Sequence, residues 1–163
     1  IAADNVGDTP GLFGVTAKGQ TVRLDGSGRI AWLAKTDTIE APPAVGFGSV
    51  WAASRSGLYR IGARSGRVEA KIPIRGAAVE LTIGGGYLWM ISYREAKTGE
   101  SYELFKIDAR AASVIRQARL AGPVGPISFG SGALWMGRAT ATVSVIRIDP
   151  KTLNQRLFAK NLG

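Results

Sequence analysis

The sequence predicts an all-β protein: a β-propeller of four-stranded antiparallel blades, about four in this chain, forming part of a larger or partner-completed ring. Three observations carry that prediction. A short apolar stretch, a Gly-rich turn and an aromatic residue recur as Val45-Gly46-Phe47-Gly48-Ser49-Val50-Trp51, Leu81-Thr82-Ile83-Gly84-Gly85-Gly86-Tyr87-Leu88-Trp89 and Ile127-Ser128-Phe129-Gly130-Ser131-Gly132-Ala133-Leu134-Trp135. Downstream of each aromatic lies an apolar–basic–apolar triplet closed by Asp or Gly: Val22-Arg23-Leu24-Asp25, Tyr59-Arg60-Ile61-Gly62, Phe105-Lys106-Ile107-Asp108 and Ile146-Arg147-Ile148-Asp149. The tryptophans stand 38 and 46 residues apart, and 38 residues before Trp51 is Phe13, inside Gly11-Leu12-Phe13-Gly14-Val15, a degenerate first copy. A four-stranded unit of about 40–45 residues repeated in tandem is the signature of propeller blades.

The copies divide the chain, as one partial propeller domain over 1–163, into blades of about 1–37, 38–75, 76–121 and 122–163. With strand positions lettered A to D from the ring centre outwards, the second copy reads most clearly. Position A, near Ala44–Phe47, follows Pro42-Pro43 and ends at Gly48-Ser49. Positions A and B are nearly continuous in apolar residues, as strands covered on both faces are. Position D shows Val68, Ala70 and Ile72 alternating with Arg67, Glu69 and Lys71, the period of a half-buried outer strand. In the first copy, only the polar stretch Asp4–Pro10 stands where position A belongs, so no strand is expected there. The wider spacing in the third copy is an eight-residue polar insertion, Arg94–Ser101, expected as an extended hairpin or surface loop between B and C. Asp25, Asp108 and Asp149 open the C–D turns and are read as turn caps rather than catalytic acids, because Asp accepts the backbone N–H groups of a following turn. The recurring Trp is read as the large residue packed between neighbouring blades.

Composition narrows the chemistry. The 163 residues, 45% hydrophobic, suffice for one folded domain with a sizeable core. There is no Cys and no His, so thiol chemistry, disulfides and every Ser–His or His–metal arrangement are excluded within this segment. No apolar run approaches the roughly 20 residues of a membrane span. The chain starts at Ile1 rather than Met, and is expected to be a processed or trimmed piece of something longer. Its charge of +9 is concentrated late: residues 109–163 carry eight Lys and Arg against the single acid Asp149. Such a region suits an acidic partner, a nucleic acid or an anionic membrane surface. Nucleic acid is not the expected partner, since no reading motif accompanies the charge and the aromatics are committed to packing.

The string Phe129-Gly130-Ser131-Gly132-Ala133-Leu134-Trp135 followed by Val145-Ile146-Arg147-Ile148-Asp149-Pro150-Lys151-Thr152 resembles the repeat of bacterial YVTN/YncE-like β-propellers, with streptogramin-lyase-like and quinoprotein-like propellers as relatives. The resemblance runs over about residues 11–160. It implies a bacterial protein working outside the cytoplasm, in the periplasm, at the cell envelope or secreted. It does not carry over a lyase activity that depends on His, acidic residues and a divalent metal.

Function is expected in the loops. The B–C loops hold one basic residue per copy, Lys18, Arg55, Arg94 and Arg138, and blades curving round an axis would bring these to one rim, with Tyr93 beside them. Arginine is suited to bidentate contact with carboxylate or phosphate. A second basic set, Arg23, Arg60, Lys106 and Arg147 at position C, is read as structural, with apolar stems buried and acids such as Asp25 or Glu103 as partners. Glu80, Glu95, Glu100 and Glu103 are the acids nearest the loops of the third copy, with no spacing that singles out a metal pair. Gly84-Gly85-Gly86 lacks the Lys-Ser/Thr of a phosphate loop. The expected function is a non-enzymatic binding or scaffold module that recognises an acidic protein surface or anionic ligand, with no cofactor and no metal. The alternative is a propeller enzyme whose catalytic groups lie partly outside this segment.

Overall fold

The computed structural model describes residues 2–6, 9–96, 99–139 and 143–160. Among them, strands form four sheets, each a four-stranded antiparallel meander whose strands pair in sequence order. Blade 1 holds β1 (Ala2–Val6), β2 (Thr9–Val15), β3 (Thr21–Leu24) and β4 (Ile30–Leu33). Blade 2 holds β5 (Ala44–Gly46), β6 (Ser49–Ser54), β7 (Gly57–Gly62) and β8 (Val68–Ile72). Blade 3 holds β9 (Ala77–Gly84), β10 (Tyr87–Ala96), β11 (Gly99–Asp108) and β12 (Ser113–Leu120). Blade 4 holds β13 (Ile127–Gly130), β14 (Ala133–Ala139), β15 (Val143–Ile148) and β16 (Gln155–Lys160). No helix among the described residues is long and apolar enough to cross a membrane. The first copy does not lack its innermost strand: β1 pairs with β2 from Ala2↔Phe13 to Val6↔Thr9. Pairing is made by the backbone, so a polar sequence can supply a strand that hydrophobic patterning does not announce.

Turn chemistry sets the sheets. The A–B hairpins of blades 2, 3 and 4 each close on two residues with positive φ: Phe47 (57°) and Gly48 (71°), Gly85 (62°) and Gly86 (82°), Ser131 (49°) and Gly132 (71°). Positive φ at both central residues is the geometry that matches strand twist in a two-residue hairpin. The C–D turns are capped by Asp as expected. The Asp25 carboxylate accepts the N–H groups of Ser27 and Arg29, Asp108 those of Arg110 and Ala111, and Asp149 those of Lys151 and Thr152.

These turns hold one register in every blade. Phe13 lies opposite Arg23, Trp51 opposite Arg60, Trp89 opposite Lys106, and Trp135 opposite Arg147. Each indole donates to the last carbonyl of its own innermost strand: Trp51 to Gly46 at 3.4 Å, Trp89 to Gly84 at 3.0 Å, Trp135 to Gly130 at 2.9 Å. The Trp51 and Trp89 rings then bury their area against the next blade while their one polar atom is satisfied.

The innermost strands β1, β5, β9 and β13 touch in sequence order. Three apolar clusters fill the junctions between successive blades. Phe13, Ile39, Val50, Ala52 and Ile61 join blades 1 and 2, and Trp51, Leu58, Leu88, Met90 and Ile107 join blades 2 and 3. Trp89, Ile91, Leu104, Leu134, Met136 and Ile148 join blades 3 and 4. Each junction also carries a hydrogen bond from a side chain of one blade to a backbone carbonyl in the C–D turn of the next. Trp32 Nε1 donates to the Ala63 carbonyl (3.1 Å), Arg60 to those of Ala109 and Arg110 (3.3 Å each), and Lys106 Nζ to that of Pro150 (3.0 Å).

Two of the position-C cations, Arg60 and Lys106, thus take part in the junctions, Arg60 with an acid of its own blade and Lys106 without one. Arg60 pairs with Glu69 at 3.0 Å, not with Asp25 or Glu103, and lies over the Trp51 ring. Lys106 sits 3.8 Å from the Tyr87 ring centroid, and its burial, aided by the charge of Arg116, pushes its ammonium below the usual lysine range. Around Lys106, aromatic faces and a carbonyl take the place of a carboxylate.

Candidate functional site

The face carrying the B–C and D–A connections holds two open clefts that share Arg55 as a wall. Arg55 stands in the two-residue turn between β6 and β7, where Ser54 pairs with Gly57. Its side chain is 84% exposed, and its Nε contacts Glu40 Oε1 at 2.5 Å. Glu40 comes from the connection between blades 1 and 2, held by its N–H to the Ala53 carbonyl at 3.0 Å.

Arg94 and Arg138 are not in loops. Arg94 lies on β10 opposite Ser101, and Arg138 on β14 opposite Ser144. In blade 3 the polar insertion continues the β10–β11 ladder as far as Ala96↔Gly99, so it is an extended hairpin; Lys97 and Thr98 lie outside the described residues. A ladder exposed on both faces needs no apolar alternation, which is why composition left hairpin and loop both open. Tyr93 and Tyr102 face each other across this ladder with ring centroids 5.2 Å apart, and both phenols donate to Glu100. Burial and the charge of Glu100 raise both phenols above the usual tyrosine range. Arg94 donates to Glu103 at 2.9 Å.

Arg55, Tyr93 and Arg94 meet in one cleft of about 400 Å³, whose wall is completed by Gly76, Ala77 and Glu95. Gly76 permits this approach: its φ is 108°, and a Cβ there would lie 2.7 Å from both Arg94 Cγ and the Tyr93 carbonyl oxygen. The neighbouring cleft, about 470 Å³, is lined by Asp37, Thr38, Glu40, Ser54, Arg55 and Ser56. Lys18, exposed in the β2–β3 turn, lines neither cleft, nor does Arg138. The Arg138 Nε is buried, with no partner among the described residues. Two of the four basic residues thus converge, and both already hold a carboxylate of this chain.

Of the acids, Glu95 and Glu100 face each other across the β10–β11 ladder. Glu95 lines the cleft, Glu100 receives the tyrosines, Glu103 holds Arg94, and Glu80 sits half-buried on β9, where burial raises its carboxyl above the ordinary range. Among the described residues, no three acidic side chains gather as metal ligands do.

Sequence reasoning missed Asp37. Its carboxylate accepts hydrogen bonds from the Ser56 hydroxyl, from Tyr59 Oη at 2.7 Å and from Lys71 Nζ at 3.2 Å, fastening the blade 1–2 connection to blade 2. The hydroxyls of Ser56 and Tyr59, then Lys71, lower its pKa from 3.8 to about 2. A carboxyl whose folded-state pKa lies below its unfolded value adds stability above the unfolded pKa and loses it as pH falls through the folded one. The thermal midpoint should therefore drop between pH 3.8 and about pH 2, and Asp37→Asn should flatten the drop in that window. Parallel melting curves for the two proteins across it would refute this role. Nothing in the local sequence Lys35-Thr36-Asp37-Thr38 signals the network, because its three donors come from a later turn and two later strands.

No family model matches the chain, and no curated protein matches it. Solved structures do. Hydrazine synthase from Kuenenia stuttgartiensis is 11% identical with a TM-score of 0.72, over 91% of this chain and 46% of that one. BamB from Moraxella catarrhalis is 16% identical with a TM-score of 0.61, over 98% and 48%. The Pan2 WD40 domain of Neurospora crassa is 11% identical with a TM-score of 0.69, over 94% and 46%. The likeness is one of fold: the chain is a β-propeller arc of four blades, spanning less than half the length of each of these proteins.

Proposed function

We propose that the chain is a non-enzymatic β-propeller binding module whose blade 2–3 cleft takes carboxylates of an acidic protein surface. The observation that carries this reading is the meeting of Arg55, Arg94 and Tyr93 in one open cleft. Their present partners are no obstacle. Arg55 is 84% exposed and Arg94 44%, and exposed ion pairs contribute only about 0–1 kcal/mol, so an incoming carboxylate can replace Glu40 or Glu103. Each guanidinium offers a planar fork for bidentate contact, and Tyr93 adds a ring with a polar edge, the kind of residue enriched at recognition surfaces. Lys18 and Arg138 line neither cleft and contribute only through the net positive charge of the chain. The repeat motif supports placement among YVTN/YncE-like propellers and, with it, work outside the cytoplasm of a bacterium. PorZ of Porphyromonas gingivalis, described as a bacterial surface component of a secretion system, shares the fold at 16% identity and a TM-score of 0.61.

The test is fluorescence anisotropy with a labelled oligo-glutamate peptide. Arg55→Ala/Arg94→Ala should weaken binding at least tenfold with little change in melting temperature, and adding Arg138→Ala should weaken it further. Unchanged binding by the triple variant would sink the proposal.

A further inference from the structure

Strand β12 (Ser113–Leu120) is the outer rim of blade 3, which has a blade on either side, so its exposure belongs to the rim and not to a junction. A rim strand offers a row of backbone N–H and C=O groups, and proteins blunt such edges with bulges, Pro, short length and charge. Each outermost strand here carries a bulge of one extra residue: Ala31, Glu69, Ile115 and Phe158. Past the bulge, regular pairing lasts two residues in β4 and in β16, and three in β8, where Pro73 follows. In β12 it lasts five, Arg116–Leu120, with no Pro before Pro123. Alternate residues of an antiparallel strand turn their N–H and C=O away from the partner strand. The Arg119 carbonyl already accepts from outside its own sheet, from Gln155 Nε2 of blade 4 at 2.8 Å.

The charge along this edge has one sign. Arg110, Arg116 and Arg119 are exposed, and among the described residues none of them is in an ion pair. The sequence holds no acid between Asp108 and Asp149. Arg116 lies opposite Lys106, and like charges directly opposite on paired strands are destabilising. Blade 2 treats the same position differently: Ala70 lies opposite Arg60, and the bulge residue Glu69 meets Arg60 at 3.0 Å. In blade 3 the bulge residue is Ile115, 49% exposed, so that position supplies no carboxylate. On the other face of the sheet, Arg119 lies opposite Glu103, which accepts from Arg94. A carboxylate placed beyond Arg119 would continue this alternating row.

We propose that β12 is a strand-addition site, at which an extended acidic segment of a partner protein pairs with Arg116–Leu120 as a fifth strand of blade 3 and sets carboxylates beside Arg116 and Arg119. Backbone pairing supplies the affinity, and the two arginines choose the partner. A second copy of this chain presenting its own β12 would set arginine against arginine, which disfavours it as the occupant. No residue of β12 lines the cleft of Arg55 and Arg94, so this site and the proposed carboxylate cleft stand or fall separately.

Isothermal titration calorimetry with the capped peptide Thr-Glu-Val-Thr-Glu-Val-Thr, its glutamates spaced as Arg116 and Arg119 are, tests the proposal. Binding is expected, with slower hydrogen exchange in β12. Two isomers N-methylated on one or the other set of alternate amides keep the charge, but only one set faces β12. One isomer should therefore bind at least tenfold more weakly than the parent, and the other nearly as well. Arg116→Ala/Arg119→Ala should weaken the parent peptide at least tenfold with unchanged circular dichroism, whereas Arg55→Ala should leave its affinity unchanged. No binding at about 1 mM peptide overturns the proposal. Equal binding of the two isomers does so as well, by showing a contact of charge alone. Unchanged affinity in the double variant also overturns it, and so does loss of binding in Arg55→Ala, which would place the peptide in the cleft.

Discussion

Trp89→Ala should lower the free energy of unfolding by about 3–5 kcal/mol, the range for truncating a fully buried large aromatic. Trp89 is 0% exposed in the cluster joining blades 3 and 4, and Lys106 lies 5.5 Å from its ring centroid. Truncation removes that area, opens a cavity that two sheets pinned by their own ladders cannot collapse into, and strands the Gly84 carbonyl that receives the indole at 3.0 Å. Trp89→Phe keeps most of the packing and loses the hydrogen bond, so it should cost distinctly less. Urea denaturation of the three proteins decides the matter. Equal losses for Ala and Phe would show that the indole N–H, rather than the buried area, dominates the junction.

The second large effect is expected from a single methyl group. Gly84→Ala would place its Cβ 2.2 Å from Phe129 Cβ and 2.3 Å from Cγ. Those atoms sit at the root of the Phe129 side chain, on a strand held by β14, so no rotamer change relieves the overlap and the blades themselves must separate. Overpacking of this kind costs about 1–3 kcal/mol, and more where the backbone has to move. Gly46→Ala is the control. Its nearest neighbour is Ile83 Cδ1 at 2.8 Å, the far end of a flexible chain, which can rotate away. Gly84→Ala should therefore be the more destabilising of the two by denaturant midpoint, and the reverse order would refute the packing described for the 3–4 junction.

Much of this architecture was legible because propeller packing repeats a bulky residue at a fixed place. Phe13, Trp51, Trp89 and Trp135 set the register, and the triplets around Arg23, Arg60, Lys106 and Arg147 confirmed it, because each lies opposite its aromatic on the adjoining strand. The glycines before and within the A–B turns were legible for a similar reason, as positive φ disfavours side chains and close approach of the next blade leaves no room for them. β1 was not legible: Ala2–Val6 shows neither an apolar run nor a glycine-bounded end, and backbone pairing requires neither. Arg94 and Arg138 were read as loop residues because hairpins that project past the blade core lose the alternation that marks a strand.

The candidate site was legible in part. One basic residue per copy could be counted, but which of them converge depends on how far each hairpin extends and where the D–A connection passes, as at Gly76 beside Arg94. Glu40 and Asp37 could not be paired with Arg55, Ser56, Tyr59 or Lys71 from sequence, since those contacts bridge 15 to 34 residues and follow no repeat offset. Trp32 carried no repeat signal either, yet it crosses the first junction in the role that Arg60 and Lys106 play at the next two.

The acceptors at Ala63, Ala109 and Pro150 are backbone oxygens, and that has a consequence for how such a protein drifts and how it can be probed. Side-chain replacement at an acceptor leaves the accepting atom in place, so selection for the contact puts no direct constraint on residue identity there, and two alanines and a proline occupy the same post. Alanine scanning would report only the donor's half of each contact. Exchanging the peptide bond that follows Ala109 for an ester, which weakens the Ala109 carbonyl as an acceptor without altering any side chain, would expose the other half. Families joined in this way can lose nearly all sequence likeness while every junction stays chemically the same.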